Sequence, residues 1–565
     1  MVAGASTLLL DEYFAEANDR FFDELIASRA DRKLHSLAPR WFADERAWAR
    51  DMLLHYVDDG CDRHGHRGLV KALFKLAEEA GDDLLMAHFL VAFDRLIEHT
   101  VRKFSRFDWN TRESYDEWVK LRTTNQPLRQ PRTRKIKRGR FSVYTRQYMQ
   151  RRALRYFRKI GFRDLPRYGK AARTALLLYE DRHLERPEQM LDAWGLMHFL
   201  YHASPVLVRD PRGIRVADGH ALSELEPAPL HPNAWQSCFE ELLAMLATAH
   251  SLVVRRWLVA WLKKNYEAEL RAPDIRQLKR LLWSPHPDVQ TFAAELLGRA
   301  RGVETLPVIE WLSLLDIENP TAIPIICDLV ARNVSPDRLD LAACVELACA
   351  RPAPVAELGL RWARTKSVDD RDALHTALRL VEAKAPNVLD EAITWIAELV
   401  GRASLGTTKH VLDLLDARQP LARAAGIELM KEQRRFTDDV ILWAALAESP
   451  YRDVRAFLIK HLELRLSDLP EQGVQKIWAT TLLGISGGSR TKRQVLRQLA
   501  DRIVQQTDRA PAILPLMAIA LRSVRETERR AALTAIAKAA FMQPALRAPL
   551  AEHIPELVLF PEASP

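Results

Sequence analysis

The chain has 565 residues, of which 48% are hydrophobic and 28% are charged, a composition typical of folded globular proteins and not of disordered chains. Its net charge of +9 is unevenly distributed: residues 129–173 contain 17 Lys or Arg and one acid, Asp164, and carry +16, which leaves the remainder at −7. The five cysteines are scattered and form no Cys-x-x-Cys pair, which excludes a disulfide framework and indicates a reducing, cytoplasmic location.

The N-terminal part of the chain is predicted to be helical. Residues 6 to about 104 place apolar residues at three- and four-residue spacing, as in "GLVKALFKLAEEAG". The start, "MVAGASTLLLDEYF", has no basic stretch before its apolar run, so we expect no signal peptide. No apolar run approaches the ~20 residues that span a bilayer, so we expect no membrane partner. We assign residues 1–125 to an N-terminal helical domain.

One stretch of this domain, "HYVDDGCDRHGHRG", contains side chains that are able to bind a metal ion. Its candidate ligands are Cys61, His64 and His66. Zinc sites pair such ligands with a distant second pair, and no second pair is evident. We therefore interpret the stretch as a polar turn between helices, and we expect neither a metal nor another cofactor.

Residues 126–231 are predicted to form a basic helical junction. The helical period is lost over residues 105–140, which contain Pro127 and Pro131 and predict a partly helical connection followed by an exposed loop. Helix resumes near Phe141. Further on, "VLVRDPRGIRVADG" predicts a small β-hairpin near residues 206–216. The Pro-rich "ELEPAPLHPNAW" marks the end of the junction.

The junction contains the strongest indication of function. In "RRALRYFRKIG", apolar residues at helical spacing form one face, while Arg151, Arg155 and Arg158 form a ridge on another. Guanidinium groups bind phosphate through paired hydrogen bonds, and aromatic rings stack on unpaired bases. No sequence-reading motif is visible, so DNA and RNA both remain candidates. The predicted nucleic-acid-binding residues are Arg132, Arg134, Lys135, Lys137, Arg138, Arg140, Tyr144, Arg151, Arg152, Arg155, Arg158 and Lys159.

Two histidines in "MHFLYHASP" lie four residues apart on one predicted helix. His198 and His202 have the spacing of a zinc-protease helix, but Phe199 stands where that motif requires Glu. We therefore expect partly buried histidines and no metal ligands at these positions.

From residue 232 to residue 565 the chain repeats a pattern of helix, short turn and second helix. The second helices open at Val289, Val355, Val388, Leu421 and Val454, which are separated by 66, 33, 33 and 33 residues, and Ala322 fills the long interval. Each helical pair is too small to bury its own apolar face, so neighbouring pairs stack. The pattern predicts an all-α chain in which a helical N-terminal domain is followed by an α-solenoid.

The segments "SPYRDVRAFLIKHL" and "SPHPDVQTFAAELL" resemble the HEAT repeat family, in which Pro-Asp-Val-Arg opens the second helix. The resemblance covers roughly residues 235–545 and implies a HEAT-like solenoid, an architecture used by scaffolds, transport receptors and nucleic-acid binders. The order of "RRALRYFRKIGFRD", "LDAWGLMHFLYHASP" and the repeats is loosely similar to uncharacterised bacterial HEAT-repeat proteins. Some of those proteins carry a WGR module, but this chain has no Trp-Gly-Arg.

A second anion site is predicted late in the repeats, in "LLGISGGSRTKRQVLRQLA". Glycines precede a basic helix start there, and the N-terminus of a helix attracts anions. The spacing is not that of a P-loop. The candidate residues are Ser489, Arg490, Lys492 and Arg493.

Together these patterns predict a non-enzymatic scaffold that binds nucleic acid through its basic segment and a protein partner through its solenoid. Two alternatives remain open. The first is a pure protein–protein adaptor whose basic segment docks on an acidic partner. The second is a HEAT-like DNA glycosylase, a class that uses Trp and Asp on a basic concave face, although no catalytic position of that class can be matched here.

Overall fold

A computed structural model describes residues 2–28, 31–63, 65–96, 101–120, 128–130, 143–184, 187–210, 213–465, 471–484 and 489–557. The chain forms two compact units, of which the first ends at Leu306 and the second begins at Pro307. The domain boundaries predicted after residues 125 and 231 both lie within the first unit.

The first unit is mainly helical. Its helices before the junction are α1 (Val2–Ala15), α2 (Arg20–Ala27), α3 (Asp31–Phe42), α4 (Ala47–His55), which continues as a π-helical turn over Tyr56–Gly60, α5 (Arg67–Ala80) and α6 (Asp83–Arg95). The junction contributes α7 (Val143–Arg163), α8 (Leu165–Leu177), α9 (Pro187–Asp192) and α10 (Trp194–Tyr201). The unit ends with α11 (Phe239–Thr248), α12 (Leu252–Asn265), α13 (Glu267–Leu270), α14 (Ile275–Leu282) and α15 (Pro287–Leu297).

Two small antiparallel sheets interrupt these helices. Strands β1 (Val101–Asp108), β2 (Glu113–Lys120) and β3 (Leu128–Gln130) form one sheet in that order, with Val101 opposite Lys120. The prediction of a partly helical connection after residue 105 is therefore wrong. Strands β4 (Leu207–Asp210) and β5 (Gly213–Val216) form the second sheet, which confirms the predicted hairpin near residues 206–216.

The second unit is a run of helices in its described part. They are α16 (Val308–Ser313), α17 (Ala322–Asn333), α18 (Leu341–Ala348), α19 (Ala353–Ala363), α20 (Arg371–Leu378), α21 (Pro386–Gly401), α22 (Thr408–Leu415), α23 (Pro420–Glu432), α24 (Arg434–Thr437), α25 (Val440–Ala447), α26 (Arg452–Arg465), α27 (Glu471–Leu483), α28 (Ser489–Gln505), α29 (Ala510–Leu521), α30 (Glu526–Met542) and α31 (Arg547–His553). This order confirms the prediction of an all-α, mostly helical-repeat fold.

Four of the residues predicted to open the second helices occupy the same position in their helices. Val289, Val355, Val388 and Val454 are each the third residue of their helix, and all four are buried. The third residue of α23 is Ala422, which is buried, whereas Leu421 is exposed. The strict spacing of 33 residues is therefore wrong by one residue in that repeat, because the smaller side chain occupies the core position.

A basic residue follows this apolar position in several repeats and links one helical repeat to the next. Arg255 and Arg423 are the fourth residues of α12 and α23, and each donates through Nη1 to the carbonyl six residues earlier, at 2.9 Å. Arg255 also pairs with Asp288 at 3.0 Å, and Arg423 pairs with Asp453 at 2.8 Å. Each guanidinium thus satisfies a helix C-terminal carbonyl and binds the acidic second residue of a later helix.

Gly359, in α19, packs closely against the backbone of α18. A Cβ atom at this position would come within 2.2 Å of the amide nitrogen of Ala348. Backbone atoms cannot rotate away as a flexible side chain can, so the two helices would have to separate. Gly401, at the end of α21, differs because a Cβ there would meet side-chain atoms of Gln433 and Leu429 at 3.2 and 3.6 Å.

We predict that Gly359→Ala lowers the free energy of unfolding by about 1–3 kcal/mol, because overpacking outweighs the helix propensity of alanine. Gly401→Ala is the matched control, and its effect should lie within about 1 kcal/mol of zero. Urea denaturation followed by circular dichroism measures both. A stabilising Gly359→Ala change would contradict the close packing of α18 and α19.

Candidate nucleic-acid interface

Helix α7 has one face in the core and one face in solvent. Met149, Ala153, Phe157 and Ile160 recur at three- and four-residue intervals and are buried. Of the predicted apolar face, Leu154 is only half-buried. The buried residues fix the rotation of the helix about its axis, and the intervening positions consequently point away from the core.

The exposed cations of α7 form what we call the basic stripe: Arg151, Arg155, Arg158, Lys159 and Arg163. The stripe extends over about 18 Å of helix, given a rise of about 1.5 Å per residue. Arg155, Arg158, Lys159 and Arg163 have no acidic partner among the described residues. Tyr144, Tyr148 and Phe162 are exposed on the same helix. Helix α7 therefore carries these four cations and three accessible aromatic rings.

Other predicted nucleic-acid-binding residues are placed differently. Arg152 is half-buried, pairs with Glu78 at 2.6 Å and donates to the hydroxyl of Tyr148 at 3.3 Å. Its guanidinium thus helps to hold α7 against α5. Six residues fall in the interval 131–142 and lie outside the described residues: Arg132, Arg134, Lys135, Lys137, Arg138 and Arg140.

A pocket adjoins the basic stripe, and we call it the cationic pocket. It has a volume of about 160 Å³. Helix α7 contributes Arg151 and Arg158, and strand β4 contributes Arg209. The remaining lining residues are Leu154, Trp194, His198, His202, Gly213 and Ile214. The sequence pattern relates His198 and His202 only to each other, and no signal in it associates Trp194 or Arg209 with the basic segment.

The two histidines of the pocket are linked to each other. Their Nδ1 atoms are 3.3 Å apart, so one ring donates a hydrogen bond to the other. Burial and the neighbouring cations lower the pKa of both rings, that of His202 to about 4. Both rings are therefore neutral at pH 7. The Nε2 atom of His198 is buried without a hydrogen-bond partner, as is the indole nitrogen of Trp194.

A buried carboxylate, Asp94 in α6, holds the helices that form the pocket. It accepts hydrogen bonds from Tyr179 Oη at 2.6 Å, from Gln150 Nε2 at 2.8 Å and from the amide of Gly195 at 2.8 Å. Gln150 belongs to α7 and Gly195 to α10, so this one group connects both walls of the pocket. Burial raises the pKa of Asp94 to about 6.

The predicted second anion site contains one residue that faces the interior. Lys492 is buried and its ammonium lies 3.4 Å from the buried carboxylate of Glu528. It is the fourth residue of α28, the position that Arg255 and Arg423 occupy in their helices. Lys492 therefore belongs to the packing of the repeats and is not presented to a phosphate. Arg490 and Arg493 are exposed, and Ser489 is the first residue of α28.

The candidate metal ligands have other roles where they are described. Both ring nitrogens of His66 are engaged, one with Tyr56 Oη at 2.9 Å and the other with the carbonyl of Ser28 at 3.0 Å. Burial raises the pKa of the Cys61 thiol to about 12, so the thiol stays protonated at neutral pH. His64 lies outside the described residues.

Comparisons with known proteins identify no family for this chain. No protein-family model matches the sequence, and no curated protein matches it. Among solved structures, the chain aligns with an engineered protein from a structural genomics consortium, at 12% identity over 90% of this chain and 98% of the other, with a TM-score of 0.13. The resemblance to HEAT repeats stays a prediction. No helix in the described ranges combines the length and apolar character needed to cross a membrane.

Asp94 should make stability depend on pH in a predictable direction. Its pKa in the folded protein, about 6, lies above the ordinary value of 3.8, so the folded state binds this proton more tightly than the unfolded state. Its contribution to stability is present below about pH 4 and is lost as the pH rises through 6. We predict that between about pH 4 and pH 7 the wild-type protein loses about 3 kcal/mol relative to Asp94→Asn.

The measurement is urea denaturation of both proteins across this pH range. The Asn variant keeps the shape of the side chain and removes its titration. The difference in unfolding free energy between the two proteins therefore cancels the contribution of every other ionisable group. Parallel stability curves would show that Asp94 titrates at its ordinary value.

Proposed function

We propose that this protein is a non-enzymatic helical-repeat scaffold that binds nucleic acid, without sequence preference, through the basic stripe. The observation that supports the proposal is the row of four exposed cations on α7 without acidic partners in the described chain. Unpaired charges in a row repel one another, and a polyanion relieves that repulsion and releases its own counterions on binding.

The side-chain chemistry favours nucleic acid over an acidic protein surface. Three of the four unpaired cations are arginines, whose planar guanidinium matches two phosphate oxygens at once. The exposed rings of Tyr144, Tyr148 and Phe162 are suited to stacking on bases. An acidic protein would satisfy the charges, but it offers no comparable partner for three aromatic rings on one helix.

The second part of the proposal is a protein partner on the repeats. A groove of about 650 Å³ lies between α21 and α23. Among its lining residues, four are acidic, Asp390, Glu398, Glu428 and Glu432, and one is basic, Arg402. The exposed Leu421 also lines this groove. A partner segment with basic and apolar side chains would complement it.

Nucleic-acid binding is tested by the salt dependence of a stripe variant, Arg155→Gln, Lys159→Gln and Arg163→Gln. These three residues belong to the basic stripe and not to the cationic pocket. If each neutralises one phosphate, the slope of log K against log salt for duplex DNA should become shallower by about 2.7. Fluorescence anisotropy with labelled DNA and RNA over a salt series measures the slope for both proteins.

A matched control carries the same change of net charge elsewhere in the first unit. Arg276→Gln, Arg280→Gln and Arg299→Gln alter three exposed arginines and should leave the slope unchanged. No binding of the wild-type protein at low salt would refute the nucleic-acid proposal and favour the protein–protein adaptor. Release of a modified base from DNA would instead establish the glycosylase alternative.

A further inference from the structure

We propose that the turn of the β1–β2 hairpin is a stacking site for an unpaired nucleobase. Two aromatic residues beside this turn, Phe107 and Trp109, form the site, and we call them the aromatic tip. The inference rests on the proposed function and deepens it, because it names single-stranded nucleic acid as the form that the protein binds most tightly.

The rings of the aromatic tip are open to solvent. Trp109 is 84% exposed and Phe107 is 45% exposed. Their ring centroids lie 5.0 Å apart in an edge-to-face arrangement, a contact that covers little of the indole. Burial of an aromatic ring is strongly favourable, so two adjacent rings held in water indicate a partner that covers them.

The backbone that carries Trp109 forms a short, hydrogen-bonded turn. The pairing of β1 with β2 ends at Asp108 opposite Glu113, so residues 109–112 make the whole turn. The carboxylate of Asp108 accepts a hydrogen bond from the amide of Asn110 at 2.9 Å, and Arg112 adopts the left-handed conformation with φ of 56°. Because the turn is already ordered, the indole is presented with little loss of conformational freedom on binding.

The charges around the aromatic tip balance one another. Residues 106–113 contain two cations, Arg106 and Arg112, and two acids, Asp108 and Glu113. The tip therefore attracts a ligand through its ring faces and not through its charge. An unpaired base presents a flat face that stacks on an aromatic ring whatever the base is, whereas the bases of a duplex already stack on one another.

A membrane or a protein fits the aromatic tip less well than a base does. An anionic membrane surface attracts segments with excess positive charge, which the tip lacks. Two aromatic rings bury at most about 500 Å², which is less than the ~800 Å² that each partner of a stable protein complex contributes. One or two bases need only the ring faces.

The hairpin leaves the first unit beside the start of α7. Arg146, near the start of α7, donates through Nη1 to the carbonyl of Phe93, near the end of α6, at 3.4 Å. The hairpin is inserted between these two adjacent helix ends. Its first residue, Val101, follows Leu96 by five residues and so lies within about 18 Å of it. Tyr144 is exposed at the same end of α7, so a strand on the basic stripe would continue towards the hairpin.

The test compares a single-stranded DNA oligonucleotide with an abasic oligonucleotide of equal length, which keeps the phosphates and lacks the bases. Full-length Trp109→Ala should bind the first about tenfold more weakly than the wild-type protein does, the effect of losing one stacked base. It should bind the abasic oligonucleotide and a duplex as the wild-type protein does. Trp109→Phe keeps an aromatic face and should retain most of the affinity. Fluorescence anisotropy measures each affinity.

A matched control removes another exposed tryptophan of the first unit. Trp283 is 53% exposed, and Trp283→Ala should leave binding of every oligonucleotide unchanged. Circular dichroism confirms that each variant is folded. A test without substitutions is photocrosslinking of the wild-type protein to an oligonucleotide that contains 5-bromodeoxyuridine. Mass spectrometry should locate the crosslink at Trp109 or Phe107.

Salt dependence separates this inference from the proposed function. Stacking releases no counterions, so Trp109→Ala should weaken single-strand binding by the same factor at every salt concentration. The stripe variant should instead make the slope of log K against log salt shallower by about 2 for a single strand.

The possible failures are distinguishable. Single-strand binding that Trp109→Ala leaves unchanged would overturn the stacking site and leave the proposed function intact. No binding of any nucleic acid at low salt would refute both. Trp109-dependent binding to phosphatidylcholine vesicles, together with equal affinity for the base-bearing and abasic oligonucleotides, would identify the tip as a membrane contact instead.

Discussion

The arrangement of the first unit depends on one buried carboxylate. Removing Asp94 from water is costly unless its oxygens are fully hydrogen-bonded, and in a low-dielectric interior each donor must be held in place. The donors are Gln150 in α7, Tyr179 two residues beyond the end of α8, and Gly195 at the start of α10. These hydrogen bonds also position two residues of the cationic pocket, because Arg151 follows Gln150 and Trp194 precedes Gly195 in the chain. A core interaction thus sets the positions of surface groups that it does not touch.

Arginine serves two purposes on α7, and the period of the helix separates them. Positions that face neighbouring helices carry Arg146, which is buried, and Arg152, which is paired with Glu78. Positions on the solvent side of the helix carry Arg155 and Arg158, which are exposed. A count of basic residues therefore overstates the charge offered to a partner, and only the helical phase shows which guanidinium groups remain available.

Much of the fold could be predicted because it is local and periodic. The spacing of Val289 and Val454 correctly predicts buried third positions of helices. The same spacing predicts Leu421 in the core of its repeat, but Ala422 is buried there instead, and hydrophobicity alone does not distinguish the two. The sheet after residue 100 was missed because the described side chains of its hairpin are mostly exposed on both faces, so no alternation of apolar and polar residues marks it. Arg209 was missed because it reaches Arg158 through tertiary folding, 51 residues along the chain.

The buried pairs of the repeats and the exposed stripe of α7 respond differently to ionic strength. Mobile ions screen charges that water surrounds, and at 1 M salt the screening length is only about 3 Å. The same ions have little access to Arg255 or to Lys492, whose side chains are 5% and 8% exposed. Concentrated salt should therefore weaken the attraction between the stripe and a polyanion without loosening the repeats. The protein could then be eluted from an immobilised polyanion in its folded state and bound to it again at low salt.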